Sequence, residues 1–262
     1  MSTRAIRYLI CTFAIDILAW GGLAALTSLG HVQSGQVLYW ILYLIGGISP
    51  CISAVILYFA EKDSAVRADF RRALLRLNVN PIWYLFVLIV PMLPSLLSWL
   101  IARASGSGGP FAAVPVYAMA LLFLEMIIGG GLEEVGWRGV LLPELLKKMA
   151  SWKAALLVGG IWSLWHVPLW FIVSTPQHGS ELVPFVISVI GMSFAFTVLY
   201  AGTRSIVLCV FMHSLFNTYG QGIPGAAMNG YARAAIALAL FVVVFVVREV
   251  ALTRRASLAA AR

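Results

Sequence analysis

The feature that most constrains this chain is the recurrence of apolar stretches long enough to cross a lipid bilayer. A helix needs about 20 apolar residues to cross the hydrocarbon core. Hydrophobic residues make up 61% of the sequence and charged residues only 11%, whereas soluble domains are about half apolar and about a quarter charged. Eight stretches approach the required length: 6–29, 37–59, 81–102, 112–132, 152–173, 183–201, 205–220 and 231–250. The sequence therefore predicts an all-α polytopic membrane protein with about eight transmembrane helices, forming one integral domain over 1–262.

The net charge of +8 is distributed as in membrane topology rather than as in nucleic-acid binding. The loops on one side carry fifteen Lys and Arg residues, whereas the opposite loops carry only Arg103 and Arg233. Cytoplasmic loops are enriched in these residues, so both termini are predicted to be cytoplasmic. The short loops and Trp-containing interfaces favour a prokaryotic plasma membrane. The lipid bilayer is an expected partner, and nucleic acid is not. The fifteen residues are Arg4, Arg7, Lys62, Arg67, Arg71, Arg72, Arg76, Lys147, Lys148, Lys153, Arg204, Arg248, Arg254, Arg255 and Arg262.

Two loops have a distinctive composition. Residues 63–78 are amphipathic, with apolar side chains at helical spacing and four arginines on the remaining surface. This pattern is typical of a helix lying on the anionic cytoplasmic leaflet, although a basic loop that follows the positive-inside rule explains it equally well. Residues 102–111 are rich in Gly and Ser, and we expect them to form a flexible outer connection.

The fourth apolar stretch ends in the segment 129–138, which reads Gly-Gly-Gly-Leu-Glu-Glu-Val-Gly-Trp-Arg and is predicted to continue as helix. Each charge at the centre of a span costs about 2.5–3.5 kcal/mol on insertion scales. Glu134 and Arg138 are four residues apart on a helix, a spacing that favours an ion pair. Glu133 projects about 100° away from Glu134 and is left free. The glycines permit close approach by neighbouring helices, which we expect to be spans five and seven.

Two further spans contribute polar side chains. His166 is the one histidine of span five, while His213 and Asn217 lie four residues apart on one face of span seven. A single histidine in an apolar run is more often a structural residue than a catalytic one. Buried polar groups need partners, however, and three spans each supply such groups. The pattern therefore favours one polar cavity among spans four, five and seven.

Two other acidic residues lie at membrane depth. Glu125 is about 80° round the helix from Glu133, where it either lines the same cavity or extends towards the membrane surface. Asp16 in span one is a candidate partner for any of the polar groups. We expect a supporting or structural role for both.

Three short motifs together resemble those of a known family. They are Glu133-Glu134-x-x-x-Arg138, an aromatic residue four positions before a histidine (Trp162 and His166), and His213-x-x-x-Asn217. Their order and placement on membrane segments are similar to the CPBP family, the CAAX-processing and bacteriocin-processing and immunity proteins, also called Abi or Rce1-like intramembrane proteases. The resemblance covers residues 112–220, the expected protease core. One departure is Trp162, where the family usually has phenylalanine and where we expect aromatic packing.

The resemblance implies an intramembrane endopeptidase whose substrates are peptides or lipidated proteins. Carried onto this sequence, Glu133 with His166 would activate a water molecule, and His213 with Asn217 would stabilise the oxyanion. Glu134 and Arg138 would support the site. No cofactor is favoured. Zn²⁺ is an alternative because Glu133, His166 and His213 have the ligand types of catalytic zinc sites, although the HExxH motif is absent.

Two other functions remain open. Intramembrane carboxylates and histidines also serve as proton relays in transporters, but the polar set is confined to one region and paired broken helices are not evident in the sequence. A non-catalytic immunity or scaffold protein could retain the fold, and the intact motifs argue against that interpretation.

Overall fold

The computed structural model describes residues 1–107, 114–223 and 229–260, with side chains as far as residue 254. Within these ranges the chain is helical, with connecting turns and no β-strand. The predicted outer loop 102–111 is described only to residue 107, and Arg262 lies outside the described residues. The helices are α1 (Thr3–Ser28), α2 (Val37–Gly47), α3 (Ser49–Ala60), α4 (Ser64–Leu74), α5 (Ile82–Ala104), α6 (Val116–Ile128), α7 (134–146), α8 (Ser151–Trp165), α9 (Leu182–Thr203), α10 (Ile206–Gly222) and α11 (Gly230–Ala260).

Every predicted span corresponds to helix. In the described part of the chain, six helical stretches are long and apolar enough to cross a membrane, and the pair α2 and α3, bent by 59°, makes a seventh. The remaining segment, α10, has 17 residues and is therefore about 26 Å long, slightly less than the hydrocarbon core of about 30 Å. The all-α, multi-pass membrane fold is confirmed. The orientation of the termini remains a prediction.

The fourth span is interrupted immediately before its charged motif. Helix α6 ends at Ile128, and a single 3₁₀ turn, Gly131–Glu133, leads into α7. Two glycines, Gly129 and Gly130, form the break. The motif is therefore helical, as predicted, but its helix begins anew after Gly130 and is not a continuation of α6. The restart places the carboxylates at the beginning of a new helical segment, facing the bundle interior.

The predicted amphipathic segment forms α4, which is shorter than the pattern suggested. Asp63 caps its first turn, with the carboxylate accepting a 2.8 Å hydrogen bond from the backbone N–H of Ala65. Phe70 is the buried residue of this helix, and its ring contacts that of Tyr58 with centroids 5.7 Å apart. Helix α4 is therefore docked on the bundle through its apolar face, with its arginines left at the surface.

Candidate active site

A buried ion pair lies at the centre of the site. Nη1 of Arg138 is 2.9 Å from Oε1 and 2.8 Å from Oε2 of Glu134, and both side chains are fully buried. The guanidinium carbon also lies 4.7 Å from the ring centroid of Trp162 and 4.3 Å from that of Phe196. Aromatic faces attract cations, so the two rings and the carboxylate together compensate for the buried positive charge.

Glu134 also holds His213. Its Oε1 lies 2.9 Å from Nδ1 of the histidine. Because the carboxylate of an ion pair accepts hydrogen bonds and does not donate them, Nδ1 of His213 is the donor. The other ring nitrogen, Nε2, is thereby directed away from Glu134. Sequence spacing predicted the pair of Glu134 and Arg138, but this link between spans four and seven depends on tertiary structure.

Glu133 lies on the other side of the motif, where its Oε2 accepts a 2.6 Å hydrogen bond from Nε1 of Trp162. The expectation that Trp162 provides packing alone was therefore incomplete, since its indole N–H holds the carboxylate predicted to be free. A phenylalanine at this position would offer no donor. The tryptophan found where the family usually has phenylalanine was the sequence feature that could have indicated this hydrogen bond.

His166 is oriented by its own helix. Its Nδ1 lies 2.8 Å from the backbone carbonyl oxygen of Trp162, and a carbonyl oxygen only accepts hydrogen bonds. Nδ1 therefore carries the proton, and Nε2 keeps a free lone pair. The ring packs against Trp165 at a centroid distance of 4.5 Å, while the Trp165 indole donates a 3.0 Å hydrogen bond to Ser49.

The structure brings the four predicted catalytic residues to one cavity of about 240 Å³, lined by Glu133, His166, His213 and Asn217. Most of the remaining lining is apolar and aromatic, and it comes from α1, α2, α6, α9 and α10; it includes Trp20, Tyr43, Leu44, Ile128, Phe185, Val189 and Phe216. A mostly apolar cavity with a few convergent polar groups is the usual form of a binding site.

Asp16 and Glu125 do not line this cavity. Asp16 is buried at 1% exposure, and its Oδ1 has no hydrogen-bond partner in the described structure. Glu125 is exposed on the outer side of α6, so the alternative that it shares the cavity is not supported.

The candidate zinc ligands do not fit a metal ion in this arrangement. In the described ranges, no three His, Cys, Asp or Glu side chains are grouped as a metal-binding set. We therefore derive no step that passes through a metal.

The motif glycines provide space, although their neighbours differ from those expected. A Cβ on Gly130 would lie 2.4 Å from Nδ2 of Asn217, and one on Gly131 would lie 2.5 Å from Oγ of Ser214, so both approach span seven. At Gly136 the nearest atoms belong to Tyr8 and Pro50, in spans one and two. Span five, which was expected to use this space, supplies none of the nearest atoms.

Substitution of Gly130 by alanine is expected to reduce activity strongly without unfolding the protein. The added methyl group would also lie 3.0 Å from Nε2 of His213, so it must displace the two polar groups of α10 by several tenths of an ångström. The matched control is Gly160→Ala, because a Cβ at Gly160 meets nothing within 4 Å. The turnover rate should fall by at least about tenfold in Gly130→Ala, since small misplacements of reacting groups can cost about 10²-fold. It should remain unchanged in Gly160→Ala. Equal turnover in both variants would show that Gly130 does not shape the site.

Known proteins resemble this chain over the residues of the site and beyond. The family model described as "Type II CAAX prenyl endopeptidase Rce1-like" matches residues 115–219, a range that includes Glu133, His166, His213 and Asn217. A relative named "CAAX prenyl protease 2", from Methanococcus maripaludis, is 30% identical over 231 residues, which cover 80% of this chain and 81% of the relative. The similarity thus extends well beyond the motifs into the flanking spans. The chain belongs to the Rce1-like CAAX protease family of integral membrane proteins.

Proposed function

We propose that this protein is an intramembrane endopeptidase in which Glu133 and His166 activate a water molecule for attack on a peptide carbonyl. The observation that carries the proposal is the convergence of Glu133, His166, His213 and Asn217 on one cavity within the helix bundle. Membership of a protease family supports the reaction class, and the assignment of roles rests on the hydrogen bonds of each side chain.

The activating pair has two free acceptor atoms. Oε2 of Glu133 is held by the Trp162 indole, which leaves Oε1 available to a water molecule. His166 uses Nδ1 on a backbone carbonyl, which leaves Nε2 available. A water molecule that donates to both atoms would have its oxygen lone pair directed at the substrate. Such positioning and proton removal together are the task of a general base.

Two other lining residues supply donors. Asn217 can donate through its side-chain amide. Because Nδ1 of His213 already donates to Glu134, Nε2 can donate only when the ring is protonated on both nitrogens. Donors placed where negative charge develops stabilise the tetrahedral intermediate of acyl transfer. The close approach of Gly130 to both groups keeps the donors near the cavity.

Glu134 and Arg138 act as positioning residues in this scheme. The carboxylate fixes the ring of His213 through Nδ1, and Arg138 fixes the carboxylate. Neither residue lines the cavity, so neither is expected to contact the substrate.

The proposed reaction is balanced without a cofactor. The water oxygen forms a bond to the scissile carbonyl carbon, and its proton passes to Glu133. The carbonyl oxygen becomes an oxyanion held by Asn217 and His213. When the carbon–nitrogen bond breaks, Glu133 returns the proton to the departing amine nitrogen. The second proton of the water stays on the new carboxyl group and then passes to the amine, so the products are a carboxylate and an ammonium group.

A prenylated peptide is the first substrate class to test, because the relative from Methanococcus maripaludis is named as a prenyl protease. The apolar lining of the cavity suits an apolar side chain or an attached lipid. Purified protein in detergent should cleave a quenched fluorescent peptide ending in a prenylated CAAX sequence. For other substrates, membranes containing Glu133→Gln should retain uncleaved proteins that disappear with the wild type. Lack of cleavage by folded protein in both assays would contradict the proposal.

Replacement of Asn217 by alanine is expected to lower kcat by about 10²–10³-fold with little change in KM, since loss of one oxyanion donor has about this effect. Gln221→Ala is a suitable control because it also removes an amide from α10 and lies outside the cavity. An equal fall in kcat for the two variants, or a fall confined to KM for Asn217→Ala, would remove Asn217 from the oxyanion site.

A further inference from the structure

A second cavity, of about 400 Å³, lies at one end of the helix bundle, where α4 meets the ends of α1, α7 and α9. It shares no lining residue with the active-site cavity. Its volume falls in the range of small-molecule sites, about 300–1,000 Å³. Its cationic lining residues are Arg4, Arg72, Arg76, Lys147 and Arg204, and its acidic ones are Asp69 and Glu144.

The two carboxylates of this basic pocket are already paired. Glu144 lies 2.6 Å from Nζ of Lys147 and 3.9 Å from Nη1 of Arg4, and Asp69 pairs with Arg72. Five cations against two carboxylates leave three excess positive charges. Among the described residues, neither Arg76 nor Arg204 has a carboxylate partner.

The two unpaired arginines are held next to each other through the backbone. The buried hydroxyl of Ser205 donates a 2.6 Å hydrogen bond to the carbonyl oxygen of Arg76 and accepts one from the N–H of Leu208 at 3.2 Å. Ser205 directly follows Arg204, so this hydroxyl ties the segment after α4 to the turn between α9 and α10. Both guanidinium groups therefore extend from fixed points on the rim of the pocket.

Arg204 occupies an unusual position for an arginine. It ends α9 in the left-handed conformation, with φ of 53° and ψ of 33°. Glycine is the usual residue there because it has no Cβ. A non-glycine residue held in this region suggests that its side chain has a use. The guanidinium carbon lies 5.5 Å from the ring of Tyr200, which also lines the pocket.

The pocket is held in shape by the docking of α4. A Cβ on Gly139 would lie 2.9 Å from the ring of Phe70 and 3.0 Å from Ile206, so Phe70 packs closely against Gly139, and both of these residues line the pocket. Beyond α4, Leu75 is 71% exposed and Leu77 is 49% exposed. These two side chains place an apolar surface beside the pocket, as expected where a protein enters the acyl region of a bilayer.

We propose that the basic pocket binds the phosphate group of an anionic phospholipid from the leaflet that contacts α4. Arginine forks match phosphate oxygens in charge and geometry, and cationic clusters next to spanning helices attract anionic lipids. Free phosphate shares this chemistry, but the exposed leucines beside the pocket favour a headgroup whose acyl chains remain in the membrane. The proposal is independent of the catalytic scheme.

Thermal unfolding of the full-length protein tests this site, with the fluorescence of its nine tryptophans as the signal. The protein would be unfolded in neutral detergent with added phosphatidylglycerol, phosphatidylcholine or inorganic phosphate at equal concentration. Phosphatidylglycerol should raise Tm in a saturable way, and the other two should not. Equal stabilisation by phosphatidylcholine would overturn an anionic site, while equal stabilisation by inorganic phosphate would overturn a lipid headgroup as the ligand.

Charge variants distinguish a site from general surface attraction. Arg76→Gln and Arg204→Gly should each weaken the apparent affinity for phosphatidylglycerol by about tenfold or more, as expected for loss of a hydrogen bond between charged groups. Arg204→Gly also removes the left-handed backbone strain, so unfolding cannot account for its loss of binding. Arg71→Gln is the matched control, because it also removes one positive charge but Arg71 lies on α4 and does not line the pocket. This variant should retain wild-type affinity. Equal weakening in all three variants would overturn the proposal.

Discussion

Replacement of Glu133 by glutamine is expected to reduce peptide cleavage by about 10²–10⁴-fold, the usual contribution of a general base. The glutamine amide oxygen can still accept the hydrogen bond from the Trp162 indole, which lies 2.6 Å from the native carboxylate. The fold should therefore persist while the capacity to take a proton is lost. The measurement is kcat with a saturating peptide, together with the thermal unfolding midpoint of each preparation.

Glu125→Gln is the matched control for this experiment. It removes a carboxylate from the same span, but Glu125 is exposed and lies outside the cavity. Cleavage by the control should equal that of the wild type. His166→Ala should resemble Glu133→Gln, because His166 is proposed to share the water. Undiminished cleavage by folded Glu133→Gln would exclude Glu133 as the base.

Replacement of Glu134 by glutamine is expected to cost about 3–5 kcal/mol of folding stability, as found when one partner of a buried ion pair is removed. The fully buried guanidinium of Arg138 would lose its charged partner, although the rings of Trp162 and Phe196 would remain. Activity should fall as well, because the glutamine amide oxygen that can still accept from Nδ1 of His213 is uncharged and is no longer fixed by an ion pair with Arg138. Denaturant unfolding in detergent and kcat provide the two measurements.

The double variant Glu134→Met with Arg138→Met separates stability from function. Replacing both partners of a buried pair with apolar residues is often neutral or stabilising, so most of the lost stability should return. Cleavage should not return, since methionine at position 134 offers Nδ1 of His213 no oxygen acceptor. A double variant that regained both would show that the pair does not position His213. Wild-type stability of Glu134→Gln alone would show that the pair contributes little to folding.

Much of the site was accessible from local spacing. The ion pair of Glu134 and Arg138 follows from helical geometry, because residues four apart face the same direction. His213 and Asn217 likewise had to lie on one face of α10. Because polar groups are costly in a bilayer, we expected the polar faces of these spans to meet. The structure brings polar residues of these spans to one cavity.

The contacts between spans were not accessible in this way. The indole of Trp162 on Glu133 and the carboxylate of Glu134 on His213 join residues 29 and 79 positions apart in the chain. Their formation depends on the rotation and depth of each helix. The hydropathy of a span does not indicate its rotation or its depth, because a helix has nearly the same mean hydropathy whichever face it turns towards its neighbours.

The interruption of the fourth span was likewise only partly predictable from the sequence. The run of three glycines indicated close packing but did not reveal that α6 ends at Ile128 and that the helix restarts after Gly130. The same limit applies to Gly136, whose nearest neighbours lie in spans one and two rather than in span five. A glycine has no side chain whose chemistry could indicate its partner.

The sequence by itself determined the fold class, the approximate spans and the polar residues of the three motifs, because bilayer thickness and the cost of buried charge act on composition and local spacing. Only the tertiary structure decided which atom of each polar group faces the cavity and which is held by a neighbour. It also assembled the basic pocket from α4 and the ends of three other helices. Those arrangements depend on helix packing, in which contacts between distant residues compete for the same space. The segment 129–138 illustrates both: its charges were evident in the sequence, and the partners of Glu133 and Glu134 came from the fold.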